Sequence, residues 1–344
     1  MNSLILQEPG KFHYKQTESP NAIGPDEALL KVHRIGICGT DLHAYAGVQP
    51  YFSYPRILGH ELGVEVVDIG DEVESVNIGD KCSIEPYRFT NSEDPAVQKG
   101  KPNCAEHLSV LGVHEDGGMR EYFTFPAKFL HTSSKLSYEQ LALIEPLSIG
   151  CHAVNRASIT GEDEVMVIGA GPIGLGTIQF AKAAGAQVAV MEIDKRRLEF
   201  CRNMVDISGY IKPGDGSTEE QIRSVFGGKL PSVVLDATGS HASMEKAFDY
   251  VAHGGRLVFV GLFQGDVTFS DPDFHKKELT LMASRNALSA EFDQIIHAIE
   301  ENEIDTSSWI THRTNFGSLA DTFEQWLNAD ELVIKAMAEF ESKI

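Results

Sequence analysis

The chain has 344 residues, enough for about two domains at roughly 100–200 residues each. Hydrophobic residues make up 42% and charged residues 23%, an ordinary balance for a globular protein that argues against long disordered stretches. With 29 Lys+Arg against 50 Asp+Glu the formal net charge is −21, which makes the chain a poor general nucleic-acid binder and equally poor for an anionic membrane surface. The opening residues 1–8 carry neither a basic segment nor an apolar run, so no secretory leader is expected. No stretch approaches ~18 apolar residues, so no membrane span is expected. Five cysteines, an odd number spread from Cys38 to Cys201, do not form a disulfide framework, and a reducing cytoplasm is the expected compartment.

The first ~140 residues are rich in glycine and proline and read as short strands. Ala28–Val32, Gly63–Ile69 and Lys81–Glu85 are strand-like, separated by turns such as Asn77-Ile78-Gly79-Asp80. This pattern predicts a compact antiparallel barrel. From Tyr138 to Arg156 the period becomes helical, with Pro146 expected to kink or restart the helix. A βα series follows: strand Glu164–Ile168, a helix ending at Ala184, strand Gln187–Met191, helix Lys195–Met204, strand Ser232–Ala237, helix Ala242–Val251, strand Arg256–Gly261 and strand Thr280–Ser284. Strands alternating with helices of this length predict a parallel sheet covered on both faces. The tail, helical over Glu291–Asn302 and extended over Glu331–Phe340, breaks that rhythm and is expected to return to the first domain.

Directly after the first strand of this series stands Gly169-Ala170-Gly171-Pro172-Ile173-Gly174, a G-x-G-x-x-G entering a helix. Gly169 permits the tight turn and Gly171 lets backbone approach a pyrophosphate. Gly174 permits close helix–strand packing, and the helix N-terminus offers unpaired N–H groups. The pattern also requires an acid at the end of the second strand, about 20 residues on. Glu192 fills that place, 18 residues beyond Gly174. An acid there bonds ribose hydroxyls and repels a 2′-phosphate, so NAD is expected over NADP. Arg196 and Arg197 stand against this, because a nearby arginine can serve NADP, although both fall on the following helix.

A second constellation lies in Gly36-Ile37-Cys38-Gly39-Thr40-Asp41-Leu42-His43, with Gly59-His60-Glu61 downstream and Glu145-Pro146 later. Thiolate, imidazole and carboxylate are all zinc ligands, and a catalytic zinc keeps one position open. Cys38 and His60 are 22 residues apart, so any site is assembled from separate loops rather than from a compact finger. Taken singly, Cys38 reads as a small buried hydrophobe and His60 as a satisfied core histidine. Together, set among glycines, they read as ligands.

These residues carry a resemblance. Gly36–His43 and Gly59-His60-Glu61 resemble the motifs of the zinc-dependent medium-chain dehydrogenase/reductases of the polyol and threonine dehydrogenase type. So do Asp116-Gly117-Gly118, Glu145-Pro146-Leu147, the Gly169–Gly174 turn and Asp236-Ala237-Thr238-Gly239. The resemblance spans essentially the whole chain. It implies an α/β protein with a GroES-like β-barrel catalytic domain and a Rossmann doubly wound parallel sheet. The expected division is 1–149 with 287–344 for the discontinuous catalytic domain and 150–286 for NAD binding.

The resemblance implies zinc held by Cys38 and His60, with Glu145 where alcohol dehydrogenase has the second cysteine of its Cys₂His set. Glu61 is the competing carboxylate. It further implies that Thr40 accepts the substrate's hydrogen bond, that His43 passes the proton to solvent through Thr40 and a cofactor ribose hydroxyl, and that Asp41 orients His60. Thr238, Arg285 and Asn286 are expected at the cofactor. Such proteins usually hold a second, structural zinc with four cysteines. Here those positions fall near Thr90, Asp94, Val97 and Ala105, and Cys104 is one place off register. One zinc per chain is expected.

Five strings, at 49–55, 111–118, 258–263, 269–278 and 284–287, resemble the bacterial L-galactonate and L-gulonate 5-dehydrogenase subgroup, which oxidises a secondary hydroxyl of a sugar acid. A sugar-acid carboxylate needs a cation or several donors. Arg88, His114 and Arg120 are the candidates, and Tyr51 is expected to wall the pocket. A threonine or polyol dehydrogenase is the alternative, and a non-catalytic binding or sensory protein of the same fold a third. A homo-oligomer, dimer or tetramer, is expected through the edge of the Rossmann sheet.

Overall fold

Along residues 27–37 the apolar side chains Ala28, Leu30 and Val32 alternate with less buried neighbours, the period of a strand buried on one face. That alternation builds the longest strand of the chain and the centre of its largest sheet. The computed structural model describes residues 1–50, 52–327 and 331–340. By contact the chain divides into two units, Met1–Pro146 with Leu288–Ile344, and Leu147–Ala287.

The first unit begins with β1 (Asn2–Glu8) and β2 (Lys11–Gln16), an antiparallel hairpin extended by β4 (Arg56–Ile57). Between them come β3 (Glu27–Ile37) and helix α1 (Gly39–Tyr45). There follow β5 (Glu61–Ile69), β6 (Lys81–Ile84), β7 (Tyr87–Phe89), helix α2 (Pro95–Gln98), β8 (Leu108–Val110), β9 (Tyr122–Pro126), β10 (Leu130–Thr132) and the start of helix α3 (Tyr138–Arg156). Its main sheet runs β10-β6-β5-β3 and then takes in two strands from the chain's end, with β9 also on β3. Pairing within the first four is antiparallel, as a barrel of this kind requires. Leu4, Leu6, Leu30, Ile35, Leu62, Phe123 and Phe125 fill its core.

The second unit is a six-stranded, wholly parallel sheet in the order β13-β12-β11-β14-β15-β16. Its strands are β11 (Glu164–Ile168), β12 (Gln187–Met191), β13 (Gly209–Ile211), β14 (Val233–Asp236), β15 (Arg256–Phe259) and β16 (Thr280–Ala283). Its helices include α4 (Pro172–Ala183), α5 (Lys195–Met204), α6 (Thr218–Val225), α7 (His241–Tyr250) and α8 (Asp271–Lys277). The chain reverses its order at β11 and β14, whose carboxyl ends therefore flank the crevice where such sheets bind ligands.

Three expectations need adjustment. The helix of α3 is unbroken through Pro146, so the proline does not restart it. The ring takes away the N–H that would otherwise meet the Ala142 carbonyl. Strand β15 stops at Phe259 because the Val260 and Gly261 N–H groups both turn to the Asp236 carbonyl. Strand β13, three residues long, carries too few for a clear period, and the amphipathic helix α6 after it is an element not among those expected.

The tail supplies helix α9 (Ser289–Glu300), β17 (Ile310–Asn315), the short helix α10 (Leu319–Phe323) and β18 (Lys335–Glu339). Strand β18 lies antiparallel to β3, pairing Ala336 with Ile37, and parallel to β17. The residues after the βα series thus enter the first unit's main sheet beside the strand that leads to Cys38.

Candidate metal centre and dinucleotide turn

Cys38 directly follows β3 and caps α1 with extended backbone. Asp41, at the third helical position, accepts the Cys38 N–H at 3.0 Å, and its other oxygen lies 3.4 Å from the Gly59 nitrogen. One buried carboxylate therefore ties together the two turns that carry Cys38 and His60. Burial raises the Asp41 pKa, although the His60 charge opposes the shift. His60 Nδ1 is 3.9 Å from Asp41, too far for a hydrogen bond, so Asp41 positions the backbone more directly than the ring.

His60 follows Gly59, whose φ of +95° is open to glycine at little cost. Glu61 opens β5 opposite Gly36, and a Cβ on Gly36 would come within 2.2 Å of the Glu61 carboxylate. The donor atoms of Cys38, His60 and Glu61 all lie within 4.8 Å of one another. Burial lowers the His60 pKa, but Cys38, Asp41 and Glu145 together raise it well above its ordinary value. The surroundings favour positive charge at this spot, and His60 Nδ1 has no hydrogen-bond partner among the described residues. A soft thiolate, an imidazole and a carboxylate so arranged fit zinc.

Glu145, the expected third ligand, is buried on α3 but is not in that tight triad. Its carboxylate accepts the hydroxyl of Tyr87. Burial raises its pKa. Glu61 is instead pinned by Lys335, at the start of β18, whose ammonium also reaches the Ile37 carbonyl at 3.2 Å. Tyr87 and Lys335 were not among the residues expected here. Thr40 is half-buried and His43 exposed on α1.

The lobe that would hold a structural zinc has Cys104, exposed, as its one cysteine. Asp94 occupies one of the expected ligand positions and takes over the tie. Its carboxylate accepts the Ala96 N–H at 2.8 Å and the Glu106 N–H at 2.9 Å, bonds that lower its pKa.

The candidate substrate residues divide. Arg88 makes a two-pronged ion pair with Glu115, 2.8 Å at Nε, so its charge is already matched. The Arg120 guanidinium lies over the Phe123 ring at 5.1 Å and donates to the Asp116 carbonyl at 3.1 Å. His114 is exposed, and its Nδ1 accepts the Val110 N–H at 3.0 Å, which places the ring proton on Nε2. Tyr51 lies outside the described residues.

In the second unit, Gly169 turns at φ +101° and packs under Thr238. A Cβ on Gly174 would fall 1.9 Å from the Gly169 carbonyl oxygen, so close packing there demands glycine. Gly171 caps α4, with Pro172 and Ile173 as its first residues. No side chain caps the helix, which leaves its first-turn N–H groups for an anion. Glu192, buried at the end of β12, accepts the Ala170 N–H at 2.7 Å and the Asp194 N–H at 2.8 Å. The Arg197 guanidinium reaches the Gly171 turn, 3.5 Å from where a Cβ there would stand, while Arg196 pairs with Asp194. Thr238 donates its hydroxyl to Asp236 at 2.6 Å. Beyond β16, Arg285 is exposed, and Asn286 has φ +52° and a buried amide nitrogen with no acceptor among the described residues. A glycine cradle, an uncapped helix start and an acid beside them fit a nicotinamide dinucleotide.

Comparison with known proteins agrees with these features. The alcohol dehydrogenase GroES-like domain family matches residues 24–135, and the zinc-binding dehydrogenase family matches residues 172–301. An L-galactonate-5-dehydrogenase of Escherichia coli is 42% identical over 340 residues, covering 99% of each chain. The chain belongs to the zinc-binding dehydrogenase family. It is an oxidoreductase with a catalytic zinc and a nicotinamide cofactor. A D-xylulose reductase of Scheffersomyces stipitis is 32% identical, covering 94% of each chain. A solved structure described as a short chain alcohol dehydrogenase from Escherichia coli, complexed with NADH, superposes with a TM-score of 0.91 at 27% identity, covering 99% of each chain. Among the described residues no helix is long and apolar enough to cross a membrane.

Proposed function

We propose that this dehydrogenase oxidises a secondary hydroxyl of a six-carbon sugar acid with NAD. Its zinc would be held by Cys38, His60 and a carboxylate drawn from Glu61 and Glu145. The observation that carries the chemistry is the grouping of Cys38, His60 and Glu61 donors within 4.8 Å, in a place where the surrounding charges favour a cation. The substrate class is supported by the 42% identity over the full length to a protein named for L-galactonate.

Zinc held there would supply polarisation of the substrate hydroxyl, and a bound nicotinamide would supply the hydride acceptor. The chain's own residues do the rest. Thr40 and His43 are three apart on α1 and so share a face. Thr40 accepts the hydrogen bond of the substrate hydroxyl, and exposed His43 delivers the proton to solvent. Glu192 faces the ribose hydroxyls with a carboxylate whose orientation two backbone N–H groups fix, which selects NAD over NADP. Arg197 adds positive charge at the Gly171 turn, toward the pyrophosphate. His114, exposed where Arg88 and Arg120 are half-buried and held by Glu115 and the Asp116 carbonyl, donates to the substrate carboxylate.

Those internal partners favour a second reading, an uncharged polyol as substrate, in line with the D-xylulose reductase relative. Assembly into a homo-oligomer is supported by β16, an edge strand of the parallel sheet with Leu281 38% exposed.

The test is NADH formation by zinc-loaded protein on L-galactonate, L-gulonate, L-threonine, sorbitol and a simple secondary alcohol, each with NAD and NADP. Turnover confined to the sugar acids with NAD is expected. Turnover of sorbitol or threonine instead replaces the substrate and keeps the metal site. Silence on all five, with zinc bound, overturns the proposal.

A further inference from the structure

Two buried carboxylates stand near Cys38 and His60, and each is held by a different kind of donor. Glu61 is held by a cation, Lys335, at 2.6 and 2.7 Å from its two oxygens. Glu145 is held by a phenol, the Tyr87 hydroxyl. The difference has a chemical meaning. An ammonium brings its own positive charge to the carboxylate and competes with a divalent ion for it. A phenol donates a directed hydrogen bond to one oxygen and brings no full charge of its own to compete with a metal.

Tyr87 is built to be still. It is 3% exposed and opens β7, where it pairs with Val110 of β8. Its ring meets Phe292 of α9 edge-on, with centroids 6.4 Å apart. Phe292 is fully buried and stacks at 4.9 Å on His131 of β10, which is itself tied to Asp293 at 2.7 Å. The hydroxyl is therefore aimed at Glu145 by packing from β7, α9 and β10 together, so that it can fix a carboxylate rather than follow it.

We propose that Tyr87 is a positioning residue for the metal centre: its hydroxyl orients the Glu145 carboxylate toward the ion. This rests on the reading of Glu145 as a metal-ligating carboxylate, and the experiment separates the two. Tyr87→Phe keeps the ring and its packing and removes only the oxygen. Zinc affinity is measured by competition with a chelator, and the ligand set by the visible spectrum of the cobalt-substituted protein. Both are recorded for the wild type, Y87F, E145Q and the double variant.

The expected result is a loss of zinc affinity of about 10–100-fold in Y87F, with shifted cobalt bands. In the E145Q background the same change should add nothing. Wild-type affinity and spectrum in Y87F, beside a weakened E145Q, overturn the positioning role. So does an equal loss from Y87F in both backgrounds, which would mark Tyr87 as general packing. Undiminished zinc binding by E145Q overturns the reading of Glu145 itself, and the role of Tyr87 falls with it.

Discussion

Lys335 places its ammonium 2.6 and 2.7 Å from the two carboxylate oxygens of Glu61, and neither side chain is more than 3% exposed. The two residues are 274 positions apart in the chain and meet because β18 lies beside β3, which in turn pairs with β5. A buried pair of this kind is weak evidence of net stabilisation, but removing one partner strands the other's charge. Lys335→Met should therefore lose about 3–5 kcal/mol of stability, read from the urea midpoint at neutral pH. Saturating zinc should restore more stability to this variant than it adds to the wild type, because the ion then compensates Glu61. An equal increment in both would show that Glu61 does not face the metal.

The same pair marks the limit of what the sequence discloses. Cys38, His60 and Glu61 were legible because Cys38 and His60 each stand beside a glycine, Glu61 follows His60 directly, and each is a ligand type. The Gly169–Gly174 turn was legible because every glycine answers to a steric demand, down to the 1.9 Å approach at Gly174. Most of the βα strands were legible from continuous apolar runs. Lys335 was not, because a lysine after an apolar run in a tail ordinarily lies on the surface, and burial depends on a strand partner that local pattern does not reveal. Tyr87 was hidden for a similar reason: nothing nearby in sequence points to Glu145, 58 positions away. Arg88 and Arg120 were seen as cations, but their carboxylate and carbonyl partners come from the turn after β8, which local pattern does not pair with them.

Coenzyme choice should turn on Glu192. Its oxygens accept two backbone N–H groups, so Glu192→Gln alters both the ribose contact and the geometry of the Ala170 turn. Hydrogen bonds to a charged group contribute roughly 1.5–3 kcal/mol each, so loss of one should raise the KM for NAD about 10–100-fold. Removal of the negative charge should at the same time improve NADP, with Arg197 at hand. Steady-state kinetics with both coenzymes measure the ratio. An unchanged NADP to NAD preference would place the discriminating group elsewhere.

The docking of α9 should depend on pH through His131. Burial lowers the pKa of this imidazole, but Asp293 at 2.7 Å and Glu85 at 3.5 Å outweigh it, and the net shift is upward. Asp293 is correspondingly lowered. With the folded value above the unfolded ~6.5, the His131 contribution is complete below pH ~6.5 and disappears as pH rises through the folded value. The Asp293 contribution is present above its unfolded value of ~3.9 and is lost as pH falls through the lowered folded one. The pair is therefore at full strength between pH ~4 and ~6.5. His131→Gln should cost about 1–2 kcal/mol in that window, after discounting the exposed side of Asp293, and the gap should narrow in alkaline buffer. Urea melts of both proteins across the range test it, and a gap that widens with pH would reverse the sign of the coupling.

The lobe between β7 and β8 should be independent of metal. One thiol, Cys104, cannot make a tetrahedral site, and Asp94 instead bridges the start of α2 to the Glu106 backbone. Metal analysis of purified protein should give one zinc per chain. Removing that zinc with a chelator should leave amide exchange at Ala96 and Glu106 unchanged. Asp94→Ala should do the opposite, freeing both N–H groups, speeding exchange there and exposing the lobe to protease, with catalytic zinc content untouched. Because bonds to these N–H groups hold the Asp94 pKa below its ordinary value, the tie is complete above the unfolded value of ~3.9 and fails only as pH falls through the lowered one. A second zinc per chain, or lobe exchange that quickens on chelation, would mean that Asp94 serves a metal after all.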